Sequence, residues 1–179
     1  MRFFNLGATL ALATSALAVS LGPKPTTTKA CPPRNTDGIA AGNELAQWAQ
    51  DRVIEFFPYR QGWEAAYDVT FSKDLYATFN ATVTNFDSFK AIYTSVYPLL
   101  SGGFAGTFKH GFMSVVGVPN AGDVGGFVYM TGWQGGYILG DESRLLNTTD
   151  AAFMVIKQEK NCERKIVEFR EASNLGRFV

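Results

Sequence analysis

Apolar residues recur at helical spacing in two long stretches of the chain. The first stretch runs from Ile39 to Phe57, and its repeating apolar positions are Leu45, Trp48, Ala49, Val53, Phe56 and Phe57. Pro58 should end this helix, because proline has no backbone donor and restricts the residue before it. The second helix should begin after an N-cap at Asp87 and end near Pro98, and its apolar positions are Phe89, Ile92, Tyr93 and Val96. A short helix is predicted between them, over residues 61–67.

Elsewhere the apolar positions repeat every two residues, which is typical of β-strands. Leu75–Val83 alternates in this way, and four later strands are predicted over residues 104–118, 124–139, 151–159 and 165–171. Short turns rich in polar residues and glycine separate these four strands. Strands joined by such turns are expected to pair as an antiparallel meander.

The first residues have the pattern of a secretory signal peptide. Arg2 precedes an apolar run, and Ala16-Leu17-Ala18 fits a small-x-small cleavage site. The run is short for a membrane-spanning helix, so we predict a signal peptide over residues 1–18. Residues 19–38, rich in proline and threonine, are predicted to form an extended arm and residues 174–179 a tail. One domain is therefore expected over residues 39–173.

Cysteines and glycosylation motifs agree with export. The two cysteines, Cys31 and Cys162, suit a disulfide in an oxidising compartment, and two unpaired thiols are the alternative. Asn80 and Asn147 each begin an Asn-x-Thr sequon and are predicted glycosylation sites. We expect a secreted, extracellular protein.

The charge balance excludes several classes of partner. Lysine plus arginine and aspartate plus glutamate number 16 each, so the formal net charge is zero. A neutral chain is not an electrostatic binder of nucleic acid or of a membrane surface. With one histidine and two cysteines, a Cys/His metal cluster is not expected either. We predict no metal, no cofactor, no nucleic-acid partner and no stable membrane association.

Glycine is unevenly placed, because 12 of the 18 glycines lie between Gly102 and Gly140. Glycine weakens a flat strand, so this density needs a physical reason. Bulges and bends in a strongly curved sheet are one reason. Close approach of a ligand to the backbone is the other.

Two local segments and the order of elements resemble a known superfamily. The segments are residues 71–93, FSKDLYATFNATVTNFDSFKAIY, and residues 151–173, AAFMVIKQEKNCERKIVEFREAS. They resemble the first strand pair with the third helix, and the last hairpin, of the nuclear transport factor two-like superfamily. The chain is most similar to SnoaL-like domains, particularly secreted fungal ones.

This resemblance implies an α+β fold in which a cone-shaped, curved antiparallel sheet wraps around about three N-terminal helices. An apolar pocket would open at the wide end, and a homodimer would form through the outer sheet face. The superfamily includes isomerases, dehydratases, polyketide cyclases and non-catalytic binding modules. Fold alone therefore does not choose a function.

Two residues are predicted to move protons if the protein is an enzyme. His110 is the only histidine and can act as a general acid or base near neutral pH, although a structural histidine is the alternative. Its partner must be a carboxylate or a tyrosine, because the paired histidines of a scytalone dehydratase-like centre are absent. Asp68 lies near the start of the first strand, where superfamily enzymes often place a base, whereas Asp74 is expected to be solvated. Glu171 is expected to be a surface residue.

Aromatic residues are the predicted pocket lining, with plain core packing as the alternative for each. They are Trp63, Tyr67, Tyr93, Phe108, Phe112, Tyr129 and Trp133. We therefore expect a secreted protein that encloses a small hydrophobic molecule, either as a cofactor-free lyase or isomerase of the dehydratase or cyclase type or as a non-catalytic ligand- or protein-binding module. A filled interior would favour the module, and a pocket where His110 meets a carboxylate would favour the enzyme.

Overall fold

The computed structural model describes Cys31 and residues 33–175. The predicted signal peptide, most of the predicted arm and the end of the predicted tail lie outside the described residues. Of the helices within this part of the chain, none combines the length and apolar character needed to cross a membrane.

Helices lead and strands follow along the described chain. The elements are α1 (Gly38–Phe56), α2 (Trp63–Thr70), β1 (Phe71–Phe79), β2 (Thr82–Asn85), α3 (Phe86–Gly102), β3 (Lys109–Pro119), β4 (Gly126–Ile138), β5 (Asp141–Gln158) and β6 (Arg164–Ser173). The strands form one curled sheet in the order β2-β1-β6-β5-β4-β3. The helices pack on one face of this sheet. The predicted α+β class with about three helices is confirmed.

The predicted meander from β3 to β6 is confirmed, but the sheet is not wholly antiparallel. Each neighbouring pair from β3 to β6 is antiparallel and joined by a short turn. In contrast, β1 pairs with β6 in parallel. No hairpin joins these two strands, so chain connectivity does not force them to be antiparallel.

Polar caps define where α1 and α3 begin. The Asp37 side chain accepts hydrogen bonds from the backbone N–H groups of Ile39 and Ala40 at 2.8 and 3.1 Å, and α1 ends before Pro58 as predicted. The predicted cap of α3 is wrong: Asn85, not Asp87, caps it, in a reciprocal capping box with Ser88.

The predicted end of α3 is wrong too, because the helix continues through Pro98 to Gly102. Pro98 is exposed, so water can satisfy the carbonyl that its missing N–H would have bound. Leu100, which is only 2% exposed, packs into the core beyond it. Burial of this side chain offsets the lost hydrogen bond.

Backbone turns move several other predicted boundaries. The single strand predicted over residues 75–83 is a hairpin, because the chain turns at Asn80, where φ is 51°. The α2 helix begins only after Gly62, where φ is 85°. The β3 strand begins at Lys109, because Ala105 and Gly106 have positive φ.

The β5 strand starts well before its predicted beginning at residue 151. Its first part pairs with β4 and places Leu145 and Asn147 outward, with Leu146 and Thr148 inward. Apolar and polar residues therefore occur on both faces. Because of this mixture, the two-residue period of the strand is not visible in the sequence.

The core is built largely from aromatic side chains between helices and sheet. Phe56, Phe71, Phe89 and Tyr67 are each no more than 1% exposed. Two glycines let α1 lie directly on β3: a Cβ on Gly117 would sit 2.3 Å from the carbonyl oxygen of Gly42. At this position the unusual glycine content serves helix–sheet packing.

The predicted disulfide is present between Cys31 and Cys162. Their Cα atoms are 5.2 Å apart across a sequence separation of 131 residues. The bridge ties the start of the described chain to the turn between β5 and β6. Closing so long a loop can stabilise the fold by about 4 kcal/mol through the entropy of the unfolded chain.

Candidate acid–base site in the sheet interior

His110 on β3 faces the interior and contacts Asp150 on β5. The distance from His110 Nε2 to Asp150 Oδ2 is 3.1 Å, and the two side chains are only 5% and 10% exposed. The β4 strand runs between them, and Gly132 allows the contact because a Cβ there would lie 2.5 Å from Asp150 Oδ1 and 3.3 Å from His110 Nε2. The pair therefore depends on a residue that has no side chain.

A bulge in β3 helps to orient this strand. The register with β4 shifts between Phe112 and Ser114. Phe112 before the shift and Val115 after it both pack against the core. The bulge thus lets both parts of the strand contribute inward side chains, with His110 among those of the first part.

A second polar pair joins Glu171 on β6 to Tyr93 on α3. The Tyr93 hydroxyl donates to Glu171 Oε2 at 2.9 Å, and Glu171 is 6% exposed. Burial raises the pKa of Glu171 to about 8, the nearby Asp150 carboxylate adds to the rise, and the hydrogen bond from Tyr93 opposes it. Glu171 is therefore mostly a neutral carboxylic acid at pH 7.

The pKa of Tyr93 moves in the same direction. Burial raises it well above its ordinary value, and the charge of Glu171 raises it further. The tyrosine is a hydrogen-bond donor at neutral pH. A neutral acid and the neutral tyrosine bound to it thus lie beside the histidine–aspartate pair.

All four groups line one small cavity, but it has no room for an organic ligand. Its volume is about 10 Å³, close to the minimum that holds a single water molecule. The apolar part of the lining is Val53, Phe56, Phe57, Met130, Ala152 and Phe169. The interior of the cone is largely filled with side chains.

Aromatic rings enclose the histidine. Phe57, just after α1, stacks on His110 with ring centres 4.3 Å apart, and Phe112 meets it edge-on at 5.4 Å. Tyr59, two residues after Phe57, packs on Phe57 and Phe108. His110 Nδ1 is buried and has no hydrogen-bond partner among the described residues. The connection between α1 and α2 therefore closes the cavity over His110.

The residues predicted from the sequence fall into three groups. His110 and Tyr93 line the cavity, and Phe108 and Phe112 pack beside it. Trp63 and Tyr67 are buried core residues, and the Tyr67 hydroxyl donates to the Phe86 carbonyl at 2.8 Å. Tyr129 and Trp133 lie on the opposite face of the sheet, 55% and 37% exposed.

Asp68 does not line this cavity. It is exposed on α2, and Lys90 Nζ lies 2.7 Å from its Oδ1. Asp74 is also exposed, as predicted. The carboxylates near His110 are instead Asp150 and Glu171.

Sequence reasoning missed these two carboxylates. The prediction that Glu171 is a surface residue is wrong: Arg170 points outward to Glu168, whereas Glu171 shares the inward phase of Phe169. Asp150 likewise shares the two-residue phase of inward Ala152 and Met154. A charged residue in phase with an apolar strand face is the signal that could have found both.

The sequence matches no protein-family model and no curated protein. Solved structures do share the fold. A candidate ketosteroid isomerase from Shewanella frigidimarina has a TM-score of 0.55 at 10% identity, covering 71% of this chain and 94% of that chain. A candidate SnoaL-like polyketide cyclase from a Jannaschia species has a TM-score of 0.53 at 14% identity, covering 76% and 90%.

A third similar structure is an NTF2-like protein of unknown function from Pseudomonas aeruginosa. Its TM-score is 0.53 at 9% identity, and the match covers 71% of this chain and 95% of that chain. At such identities the likeness concerns the fold and not the chemistry. The chain therefore has the cone-shaped α+β fold of the nuclear transport factor two-like proteins.

Proposed function

We propose that this protein is a secreted, cofactor-free catalyst of proton transfer, of the isomerase or lyase type, acting on a small hydrophobic molecule. One observation carries the proposal: His110, Asp150, Tyr93 and Glu171 converge at a cavity whose other lining residues are apolar. Burying four titratable groups costs stability, and such clusters are typical of functional sites. The names of two fold neighbours, a ketosteroid isomerase and a polyketide cyclase, support this reaction class.

His110 is the proposed base. With the proton on Nε2 and donated to Asp150, the imidazole keeps its lone pair on Nδ1. Nδ1 can then take a proton from a carbon next to a substrate carbonyl. Asp150 holds the ring in this tautomer and stabilises the imidazolium that forms.

Glu171 is the proposed electrophilic partner, and Tyr93 positions it. When the carbon loses its proton, the electron pair of that bond moves into the carbonyl group and negative charge develops on the oxygen. The neutral Glu171 acid can donate a hydrogen bond to this oxygen, and the Tyr93 hydroxyl, which donates to Glu171, holds that acid in place. Return of the proton to another atom of the substrate completes an isomerisation, and loss of a leaving group completes an elimination.

Substrate binding requires Phe57 to move away from His110, because the closed cavity measures only about 10 Å³. A flat substrate ring would then take the stacked position that Phe57 now holds. The filled cavity also favours a second candidate function, that of a non-catalytic binding module. The proposed secretion and the resemblance to secreted fungal members depend on the N-terminal pattern, and the disulfide agrees with an extracellular location.

The decisive measurement is hydrogen exchange at carbon. A panel of small cyclic and aromatic ketones is incubated in D₂O, and deuterium uptake next to the carbonyl is followed by NMR. We expect the natural chain to accelerate this uptake. In His110→Phe, Asp150→Asn and Glu171→Gln the acceleration should be about 100-fold smaller, as is usual when a general acid or base is lost.

Glu64→Gln is the matched control, since Glu64 is exposed on α2. It should exchange at the natural rate. Asp68→Asn tests whether Asp68, and not Asp150, is the carboxylate that acts with His110. A large loss of deuterium exchange in this variant would support the sequence-based assignment. If the natural chain gives no exchange above buffer with any ketone, the binding module becomes the better description.

A further inference from the structure

The face of the sheet turned away from the helices, here the outer face, is unusually apolar. Its side chains are 37% to 58% exposed, and they include Met113, Val116, Val118, Phe127, Tyr129, Trp133, Tyr137 and Leu145. Exposed apolar areas of this kind are normally covered by something in the working protein. A second copy of the chain is one occupant, and it is the one that the resemblance implies.

Asn147 lies within this apolar face. It is exposed on β5, between the outward Leu145 and Thr149. It lines two neighbouring grooves of about 510 Å³ each, one shared with Met113, Trp133 and Thr149, the other with Trp133, Tyr137 and Leu145. Trp133 is thus common to both grooves and lies close to the Asn147 carboxamide.

The local backbone presents the glycosylation motif outward. Asn147 and Thr149 both point to solvent, whereas Thr148 between them is buried and its hydroxyl donates to the Gln134 carbonyl at 3.1 Å. The second sequon differs, because the Asn80 carboxamide oxygen accepts the Ser173 N–H at 3.0 Å in a tight turn. Asn80 lies at the edge of the outer face, in a groove with Val116 and Tyr129, whereas Asn147 lies beside Trp133 with its sequon presented outward.

We propose that Asn147 carries an N-linked glycan whose first sugar lies against Trp133 and covers the outer face, so that the mature protein stays monomeric. This inference rests on the proposed secretion. The apolar face of a pyranose ring stacks on an aromatic ring, while its hydroxyl and amide groups remain in water. A glycan attached at Asn147 also occupies the space that a second copy would need on this face.

The attachment is ordinary group transfer inside the secretory pathway. Nδ2 of Asn147 forms a bond to C1 of N-acetylglucosamine in a lipid pyrophosphate-linked oligosaccharide. The bond from C1 to the phosphate oxygen breaks, the lipid pyrophosphate leaves with the electron pair, and the amide proton passes to a base of the transferase. The predicted homodimer is therefore expected only when the chain lacks a glycan at Asn147.

The test uses the full chain, produced in a eukaryotic secreting host and analysed by glycopeptide mass spectrometry and sedimentation velocity. We expect a glycan on Asn147 and a monomer. Asn147→Gln and Thr149→Val, which destroy the sequon in two ways, should lose the glycan and shift the protein to dimers. Thr149→Ser keeps the sequon and should remain monomeric.

Two further measurements identify the covering group. Enzymatic trimming of the glycan to its first N-acetylglucosamine should leave the protein monomeric. Thr82→Val removes the other sequon and should not change the association state. Dimerisation after trimming, or a monomeric Asn147→Gln protein, would overturn the covering role, and a secreted natural chain with a bare Asn147 would overturn the site.

Failure of secretion is separated from failure of the site by making the chain twice, with its own first 18 residues and with the leader of a well-characterised secreted protein. A glycan at Asn147 only with the foreign leader would refute the native signal peptide and support the site. Export with both leaders and no glycan with either would refute the site alone.

Discussion

Arg170 and Glu171 are neighbours on β6, but their side chains lie in opposite environments. Arg170 is exposed and pairs with Glu168, whereas Glu171 points into the core and binds Tyr93. The alternation of a strand places them on opposite faces. Burial then makes a carboxyl group that is ordinary in sequence into a neutral acid at pH 7.

Stability should therefore fall as pH rises between about 4.5 and 8. The folded pKa of Glu171, about 8, exceeds its ordinary value of 4.5, so in this window the native state keeps a proton that the unfolded chain releases. The free energy of unfolding should drop by up to about 1.4 kcal/mol per pH unit from this group alone. Glu171→Gln should remove that slope while keeping an acceptor for Tyr93, as measured by urea unfolding across the pH range.

Asp150, His110 and Tyr93 also face this cavity, so the comparison between variants isolates Glu171. Glu168→Gln, on the outward side of the same strand, is the matched control and should keep the slope of the natural chain. Identical pH profiles for the natural chain and Glu171→Gln would contradict the neutral state proposed for Glu171 in the mechanism.

The sequence indicated that His110 needs a carboxylate or tyrosine partner, but not which one. Asp150 lies 40 positions away, and the contact crosses an intervening strand at Gly132. Such a contact depends on strand register, which local patterns do not determine. Asp68 was the sequence-based choice because it lies near the start of β1, and helix α2 instead holds it in solvent beside Lys90.

The apolar period and the capping residues predicted which helices form. They were less accurate about where each helix begins and ends. Helix α1 follows its apolar repeat to Phe56 and is capped by Phe57, the residue before Pro58. In α3 the predicted apolar repeat is correct, but the cap is Asn85 and not the predicted Asp87. Either side chain is a suitable cap by type, and the turn out of β2 selects Asn85.

These two residues offer a direct test of the cap. Asn85→Ala should lower the free energy of unfolding by about 1 kcal/mol, because the Ser88 N–H loses its acceptor. Asp87→Ala should cost less, since it removes only a favourable charge near the helix N-terminus. Thermal and urea unfolding of both variants at neutral pH provides the measurement. A larger loss for Asp87→Ala would support the sequence-based assignment instead.

For the whole molecule, the disulfide is the longest-range constraint in the described chain. It joins residues separated by 131 positions. The double variant Cys31→Ser/Cys162→Ser should lose about 4 kcal/mol of unfolding free energy, mainly because its unfolded chain is less restricted. Urea unfolding with and without reductant should show the same loss in the reduced natural chain and no effect of reductant on the double variant. Equal sensitivity of both proteins to reductant would show that the bridge does not cause the loss.

The sequence by itself determined the kind and order of the elements, but not which face of the sheet is buried. The apolar periods and turn residues predicted helices followed by an antiparallel meander, because these depend on local spacing and residue type. The two cysteines predicted a disulfide but left two free thiols as the alternative, which the structure excludes. Sequence also singled out the aromatic series of β4, but not which face of the sheet it occupies.

Tertiary structure decided that Tyr129 and Trp133 lie outside, that Asp150 and Glu171 lie inside, and that Asn147 stands within an apolar surface. The physical reason is that a strand has two faces, and only its packing against the helices determines which one is buried.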